Sequence, residues 1–231
     1  MAISKTNLTT YDSASPGTTP TTSSVSWSAG DLIVVRVAAS QFPGAWPATG
    51  VSVGGNAATK CVAFEGGTGL HYDRDHASIW TFAPGSGGSG TVVATFGGTN
   101  DSASIVVDRL TSQHASPIGN NDTDFQQNGS GLDPDITVAT TVDSLVLAAG
   151  SMEDASANLA DNGAQTSDFR GTAGSWMRFF SSKTASTTST SMTWVESTND
   201  RNFSVVALEI LAAAGGSSIV PILNTRRFFG G

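Results

Sequence analysis

The sequence predicts an all-β protein: an antiparallel two-sheet β-sandwich of jelly-roll type, built from two internally repeated halves. Apolar residues alternate with Ser, Thr or charged residues at a period of two, which is typical of half-buried strands. Clusters of Gly, Pro, Asn and Asp separate these segments, and no stretch has a sustained helical period. Four of the segments recur in the same order in the second part of the chain.

Residues 1–24 contain twelve Ser or Thr residues together with Pro16 and Pro20. They offer little that could fill a core, so we predict a Ser/Thr-rich N-terminal arm. The first residues lack the apolar stretch of a signal peptide, and no apolar run approaches the roughly 20 residues of a membrane span. We therefore expect synthesis in the cytoplasm and no membrane partner.

The predicted sandwich occupies 25–211, and its first half is 25–111. "GDLIVVRVAAS" (30–40) predicts a strand, and "VSVGGNAATKCVAF" (51–64) predicts a hairpin that turns at Gly54 and Gly55. Cys61, the single cysteine, cannot form an intramolecular disulfide and is interpreted as a buried strand residue. Further strands are predicted at 77–83 and 91–98.

The second half, 133–211, repeats this order with strands at 142–151, 174–182 and 190–197. "TND" follows the matched strand in both halves, at 99–101 and 198–200, which predicts equivalent turns between strands. We expect Trp80, Trp176 and Trp194 in the core. The connector 112–132 is long for one compact sheet and also for a tandem join, so two tandem immunoglobulin-like sandwiches remain the alternative.

Residues 212–231 are predicted to be a flexible linker followed by the short segment "IVPILNTRRFFGG". This segment is either a last strand on its own domain or a docking segment for a neighbouring subunit. The docking interpretation makes its apolar and basic residues interface candidates: Ile219, Val220, Ile222, Leu223, Arg226, Arg227, Phe228 and Phe229.

Two polar stretches carry metal-ligating side chains. "GLHYDRDH" (69–76) contains His71, Asp73, Asp75 and His76, which could bind a divalent metal, but a solvated loop without an ion is the favoured interpretation. The connector carries Asp122 and Asp124, which resemble calcium ligands without the EF-hand spacing. We therefore expect no bound metal.

No catalytic signature stands out. "GSGGSG" (85–90) matches a nucleophile elbow only loosely and lies between two predicted strands. The three histidines have no recognisable partner spacing. We predict a protein that is not an enzyme and has no cofactor. A nucleic-acid partner is not expected either, because Asp and Glu outnumber Lys and Arg by 19 to 11.

One predicted loop carries two aromatic residues that we expect at the surface. Phe42 and Trp46 lie in "QFPGAWPATG" between prolines. Such residues can stack on sugar rings or anchor a protein partner, while a local staple on the sandwich edge is the structural alternative.

The chain resembles virion structural proteins of tailed bacteriophages. The resemblance rests on the Ser/Thr/Gly-rich, lysine-poor composition, on "VSVGGNAAT", on the strands "SAGDLIVVRVAAS" and "TVDSLVLAAGS", and on "IVPILNTRRFFGG". It implies a capsid (head) decoration, fibre or tail component that is located in the virion and forms homo-oligomers. The implied partners are other copies and other virion proteins. No site residues follow from this resemblance.

The sequence thus predicts a non-catalytic structural protein that acts through symmetric protein–protein contacts. The alternative is a carbohydrate- or receptor-binding β-sandwich module with a host surface glycan as partner.

Overall fold

The computed structural model describes residues 1–41, 45–64, 75–126, 133–153, 159–162, 164–174, 176–195 and 202–213. Within these residues all regular structure is β, and every strand pair is antiparallel. The prediction of an all-β antiparallel protein is confirmed. No helix in the described part of the chain is long and apolar enough to span a bilayer.

The first half of the chain forms one large sheet and two small ones. Its strands are β1 (Ser4–Ser13), β2 (Val25–Trp27), β3 (Leu32–Ser40), β4 (Ala48–Val53), β5 (Asn56–Ala57), β6 (Thr59–Phe64), β7 (Asp75–Phe82), β8 (Gly88–Gly90), β9 (Val92–Phe96) and β10 (Ser102–Thr111). The first large sheet has the order β1-β10-β3-β7-β6. The small sheets are β5-β4-β9 and β2-β8.

The second half forms another large sheet and one small sheet. Its strands are β11 (Gln113–Gln126), β12 (Asp135–Ala139), β13 (Leu145–Glu153), β14 (Ala160–Asn162), β15 (Thr166–Gly171), β16 (Trp176–Thr184), β17 (Ser189–Val195) and β18 (Phe203–Ala212). The second large sheet has the order β11-β18-β13-β16-β15, and the small sheet is β12-β17-β14. The described residues thus form five sheets, whereas the sequence predicted two.

Three apolar cores hold these sheets in four layers. Ile33 and Val35 of β3 pack with the small sheets of the first half, whereas Val34 packs with Leu147 and Ile210 of the second large sheet. The third core lies between the second large sheet and β12-β17-β14. Because both large sheets are covered on both faces, β3 is buried along its whole length.

Two segments differ from the sequence prediction. Residues 4–13, expected in a free arm, form edge strand β1, which pairs with β10. Residues 113–126, expected in the connector, form edge strand β11, which pairs with β18. Both strands consist mainly of polar residues and lack the apolar alternation by which the other strands were recognised.

The hairpin turn and the first "TND" turn lie where the sequence predicted them. β4 pairs with β5 through a turn at Gly54 and Gly55, both of which have positive φ. The predicted return strand through Cys61 is wrong beyond Ala57, because β6 leaves the hairpin and pairs with β7 in the first large sheet. Residues 99–101 connect β9 to β10. The second triplet, 198–200, lies outside the described residues.

The molecule has two distinct ends. The hydroxyl groups of Ser40 and Ser151 contact each other, so β3 and β13 finish at the same end, and Trp46 follows β3 there. Because β18 runs antiparallel to β13, Ala213 lies at the opposite end. The amino group of Met1 donates to the Ala213 carbonyl oxygen at 3.2 Å. We call these the Trp46 end and the terminal end; a nine-residue strand separates them by roughly 25–30 Å.

Candidate functional site

Trp46 is an exposed aromatic residue that lies against a glycine pair. Its side chain is 47% exposed. A Cβ atom added to Gly98 would lie 2.5 Å from Cε2 and 2.7 Å from Cδ1 of the indole, close to three ring atoms at once. A Cβ on Gly97 would lie 3.0 Å from Cε3. The glycine backbone therefore covers one face of the ring, and the exposure belongs to the other face.

Asn100 fixes the backbone of Trp46. The Asn100 side chain is buried, its Oδ1 accepts the Trp46 amide N–H at 2.7 Å, and its Nδ2 donates to the Trp46 carbonyl oxygen at 3.1 Å. A buried amide that satisfies both backbone groups of one residue holds that residue as a strand neighbour would. The exposed indole is therefore presented on a rigid support.

His76 holds the backbone of Ala45, the residue before Trp46. Its Nε2 lies 2.6 Å from the carbonyl oxygen of Ala45, and its Nδ1 lies 3.2 Å from that of Phe64. Carbonyl oxygens only accept, so both contacts are hydrogen bonds at once only when the imidazole is protonated on both nitrogens. His76 thus joins the residue before Trp46 to the end of β6.

The predicted solvated loop is wrong for Asp75 and His76. Both residues begin β7 and are only 5% exposed, because β7 is covered on both faces by the two neighbouring layers. Asp75 accepts hydrogen bonds from the hydroxyl groups of Ser40 at 3.0 Å and Ser151 at 2.8 Å. This carboxylate therefore connects the two large sheets. His71 and Asp73 lie outside the described residues.

The calcium candidates of the connector are strand residues. Asp122 and Asp124 lie on β11. Burial raises the pKa of Asp124, a hydrogen bond from the Phe125 backbone opposes this, and repulsion from Asp135 and Asp122 adds to the increase. In the described part of the chain no three His, Cys, Asp or Glu side chains are grouped in a way that could hold a metal ion.

A buried ion-pair cluster joins the large sheets near β1. Arg36 has no exposed side-chain surface and contacts Asp108 of its own sheet at 2.5 Å and Asp168 of the opposite sheet at 2.9 Å. Lys5 also pairs with Asp168. Burial alone would lower the pKa of Arg36, but the two carboxylates raise it above its ordinary value. Two cations thus meet two anions, which keeps the cluster neutral overall.

Arg178 makes a second connection between the large sheets. It lies on β16 and contacts Asp12 of β1 at 2.6 Å and the Ser104 hydroxyl of β10 at 3.0 Å. Burial lowers the pKa of Arg178, and the interactions with Asp12 and Asp75 partly oppose this. These charges fix how one sheet lies on the other; the Arg36 and Arg178 side chains have no exposed surface, while Asp12 at the edge is partly exposed.

Sequence reasoning did not identify these buried charges. The available signal was a single arginine in the apolar run "LIVVRVAA" and an aspartate in "SIVVDRL". A charge inside an otherwise apolar strand requires a partner when it is buried, but the pattern does not say which one.

The remaining predicted site residues lie beyond the described part of the chain. They are Phe42 of the Trp46 loop and all eight interface candidates of the C-terminal segment, Ile219, Val220, Ile222, Leu223, Arg226, Arg227, Phe228 and Phe229. Cys61 lies on β6 as predicted but is half-buried, with its sulfur 3.2 Å from the Thr81 hydroxyl.

In comparisons with known proteins, the chain matches no protein-family model, no curated protein and no solved structure.

Proposed function

We propose that the chain is a non-catalytic structural protein of a phage particle, a head decoration, fibre or tail component that acts in the virion through symmetric protein–protein contacts. The observation that carries this proposal is the contact between Met1 and Ala213. It places Ala213, the last described residue before the C-terminal segment, beside Met1 at the terminal end, opposite Trp46. A body with one end available for attachment and one end available for a second contact suits an assembly component.

We infer that the body consists of two repeated halves. The order β1-β10-β3-β7-β6 corresponds strand by strand to β11-β18-β13-β16-β15. The registers agree, because Ser40 pairs with Ser102 in the first large sheet and Ser151 pairs with Ser204 in the second. The layer order favours two units packed sheet against sheet, which is nearer to the tandem alternative than to one jelly-roll-like sandwich.

The halves are related by an approximate twofold axis. β1 lies against β15 and β6 against β11, while β16 contacts β3 and β10, and β7 contacts β13 and β18. When each strand is replaced by its counterpart in the other half, the contact of β1 with β15 becomes that of β11 with β6. In the same way, the contacts of β16 become the contacts of β7. This is the arrangement of an isologous dimer, here within one chain. Since the large faces are used inside the molecule, we expect contacts with other copies to use the remaining surface, above all the ends and residues 214–231.

The C-terminal segment has the composition of a docking element. It combines six apolar residues with Arg226 and Arg227, in a chain of net charge −8. Neighbouring copies therefore offer complementary charge. Burial of apolar side chains contributes roughly 1.5–3 kcal/mol each before the ordering cost, which is enough to hold a short segment on a neighbour.

Deletion of residues 216–231 tests the proposal. The full chain should associate with rising concentration in light scattering, and the truncated chain should remain monomeric with nearly unchanged thermal stability. The double variant Arg226→Ala/Arg227→Ala is the matched control, because it retains the apolar residues and should weaken association only partly. Unfolding of the truncated protein would instead identify an intramolecular strand. Unchanged association would contradict docking.

The second candidate function, a carbohydrate- or receptor-binding module, is favoured by the rigid, half-exposed indole of Trp46.

A further inference from the structure

We propose that the exposed face of Trp46 is a carbohydrate-binding site that stacks on the apolar face of a sugar ring. The site lies at the opposite end from Ala213 and uses no residue of the C-terminal segment, so it does not depend on the proposed docking of that segment. It is the one place in the described structure where a large, exposed aromatic ring is supported from below by glycine and fixed at its backbone by a buried side chain.

The support of Trp46 reduces the entropic cost of binding. Asn100 holds both backbone groups of Trp46, and His76 contacts the Ala45 carbonyl oxygen, so the backbone of these two residues is fixed before a ligand arrives. Gly97 and Gly98 keep one indole face covered. A ring that is already ordered loses little freedom on binding, which is why rigid aromatic residues serve well as contact residues.

The described surroundings of Trp46 favour a sugar over a protein surface. Among the described residues, the exposed ones near it in the chain or on the neighbouring strands are polar: Thr49 and Thr95 on β4 and β9, and Thr99 and Asp101 on either side of Asn100. The Thr49 hydroxyl donates to the Thr95 carbonyl oxygen at 3.1 Å, which leaves the hydroxyl oxygen able to accept. An aromatic anchor for a protein normally lies among other apolar groups that exclude water. An aromatic plane beside polar described residues instead matches the CH face and the hydroxyl groups of a sugar.

The first test is a glycan array that includes bacterial cell-wall and capsular polysaccharides. The strongest-binding oligosaccharide is then titrated calorimetrically against the full chain and its variants. Trp46→Ala should weaken binding at least tenfold, while Trp46→Phe, which keeps a smaller ring, should weaken it less. Val142→Ala is the control, because Val142 is 49% exposed and lies at the terminal end.

Gly98→Ala provides a second, independent variant. The added methyl group would overlap the indole, so the ring must move while the strands remain in place. We expect at least threefold weaker binding and a shifted Trp46 fluorescence, with unchanged thermal stability. Absence of any bound glycan, or equal binding by Trp46→Ala and the parent chain, would overturn the proposal. If Trp46→Ala reduces self-association while no glycan binds, Trp46 is a protein anchor and the proposal is also wrong.

Discussion

Glu209 is a buried carboxylate that holds three segments together at the terminal end. It lies on β18 without exposed surface and accepts the amide N–H of Thr141 at 2.5 Å and that of Asn120 at 3.0 Å. Burial alone would raise its pKa, but these hydrogen bonds lower the pKa below its ordinary value of 4.5. Gly119 passes so close that a Cβ there would lie 2.8 Å from the Glu209 carboxyl carbon.

Replacement of Glu209 by Gln should destabilise the protein by about 1–3 kcal/mol at pH 7, because the amide cannot satisfy both N–H donors as a carboxylate does. A lowered pKa contributes stability above the ordinary pKa of 4.5, and this contribution is lost as the pH falls through the lowered value. The difference between parent and Glu209→Gln, measured by urea unfolding, should therefore shrink between pH 7 and about pH 3.5. An equal difference at both pH values would contradict this account.

Residue patterns predicted part of this chemistry. Trp80, Trp176 and Trp194 are buried in strands, as the sequence indicated. The first "TND" turn was predicted too, but the bonds from Asn100 to Trp46 were not, because Trp46 lies in a different connection of the chain. An alternating sequence pattern predicts which face of a strand is buried. It does not predict which distant group forms a hydrogen bond with a polar side chain.

At the scale of elements, β1 adds polar contacts to the packing of Leu8 and Tyr11 against the first core. Asp12 accepts hydrogen bonds from Arg178 at 2.6 Å, from the Ser104 hydroxyl at 2.5 Å and from the Ala173 amide at 3.2 Å. Lys5 pairs with Asp168 near the other end of the strand. Edge strand β1 thus covers buried charges of the interface between the large sheets.

Substitution Asp12→Ala should destabilise the protein by about 1.5–3 kcal/mol, since it leaves the buried guanidinium of Arg178 without its carboxylate. Thr10→Ala on the same strand is the matched control: Thr10 is exposed, and its loss should cost less than about 0.5 kcal/mol. Chemical denaturation of the three proteins provides the comparison. Equal stability of Asp12→Ala and Thr10→Ala would show that the Asp12 contacts contribute little.

The edge strands show why element prediction failed where it did. β1 and β11 pair with β10 and β18, and most of their side chains are at least partly exposed. Their identity as strands depends on those partners, which local composition does not report. Strands such as β3 were recognisable because burial on both faces requires a continuous apolar run.

At the scale of the whole molecule, the inferred halves are complementary rather than identical. Asp75 pairs with Ser40 on β3, and at the corresponding position Arg178 pairs with Ser151 on β13. Asp75 also raises the pKa of Arg178 through its charge, against the lowering by burial. Two copies of the same half would bring two like charges together at this axis. The interface therefore favours pairing of the first half with the second over pairing of either half with its own copy.

We expect both halves to form one rigid body through the interface between the large sheets. Fluorine NMR of the chain labelled with 5-fluorotryptophan tests it during a urea titration. Trp27 and Trp80 report the first half, and Trp176 and Trp194 report the second, since all four are buried. We expect the four native resonances to disappear with one common midpoint. Two separate midpoints, one for each half, would contradict the claim.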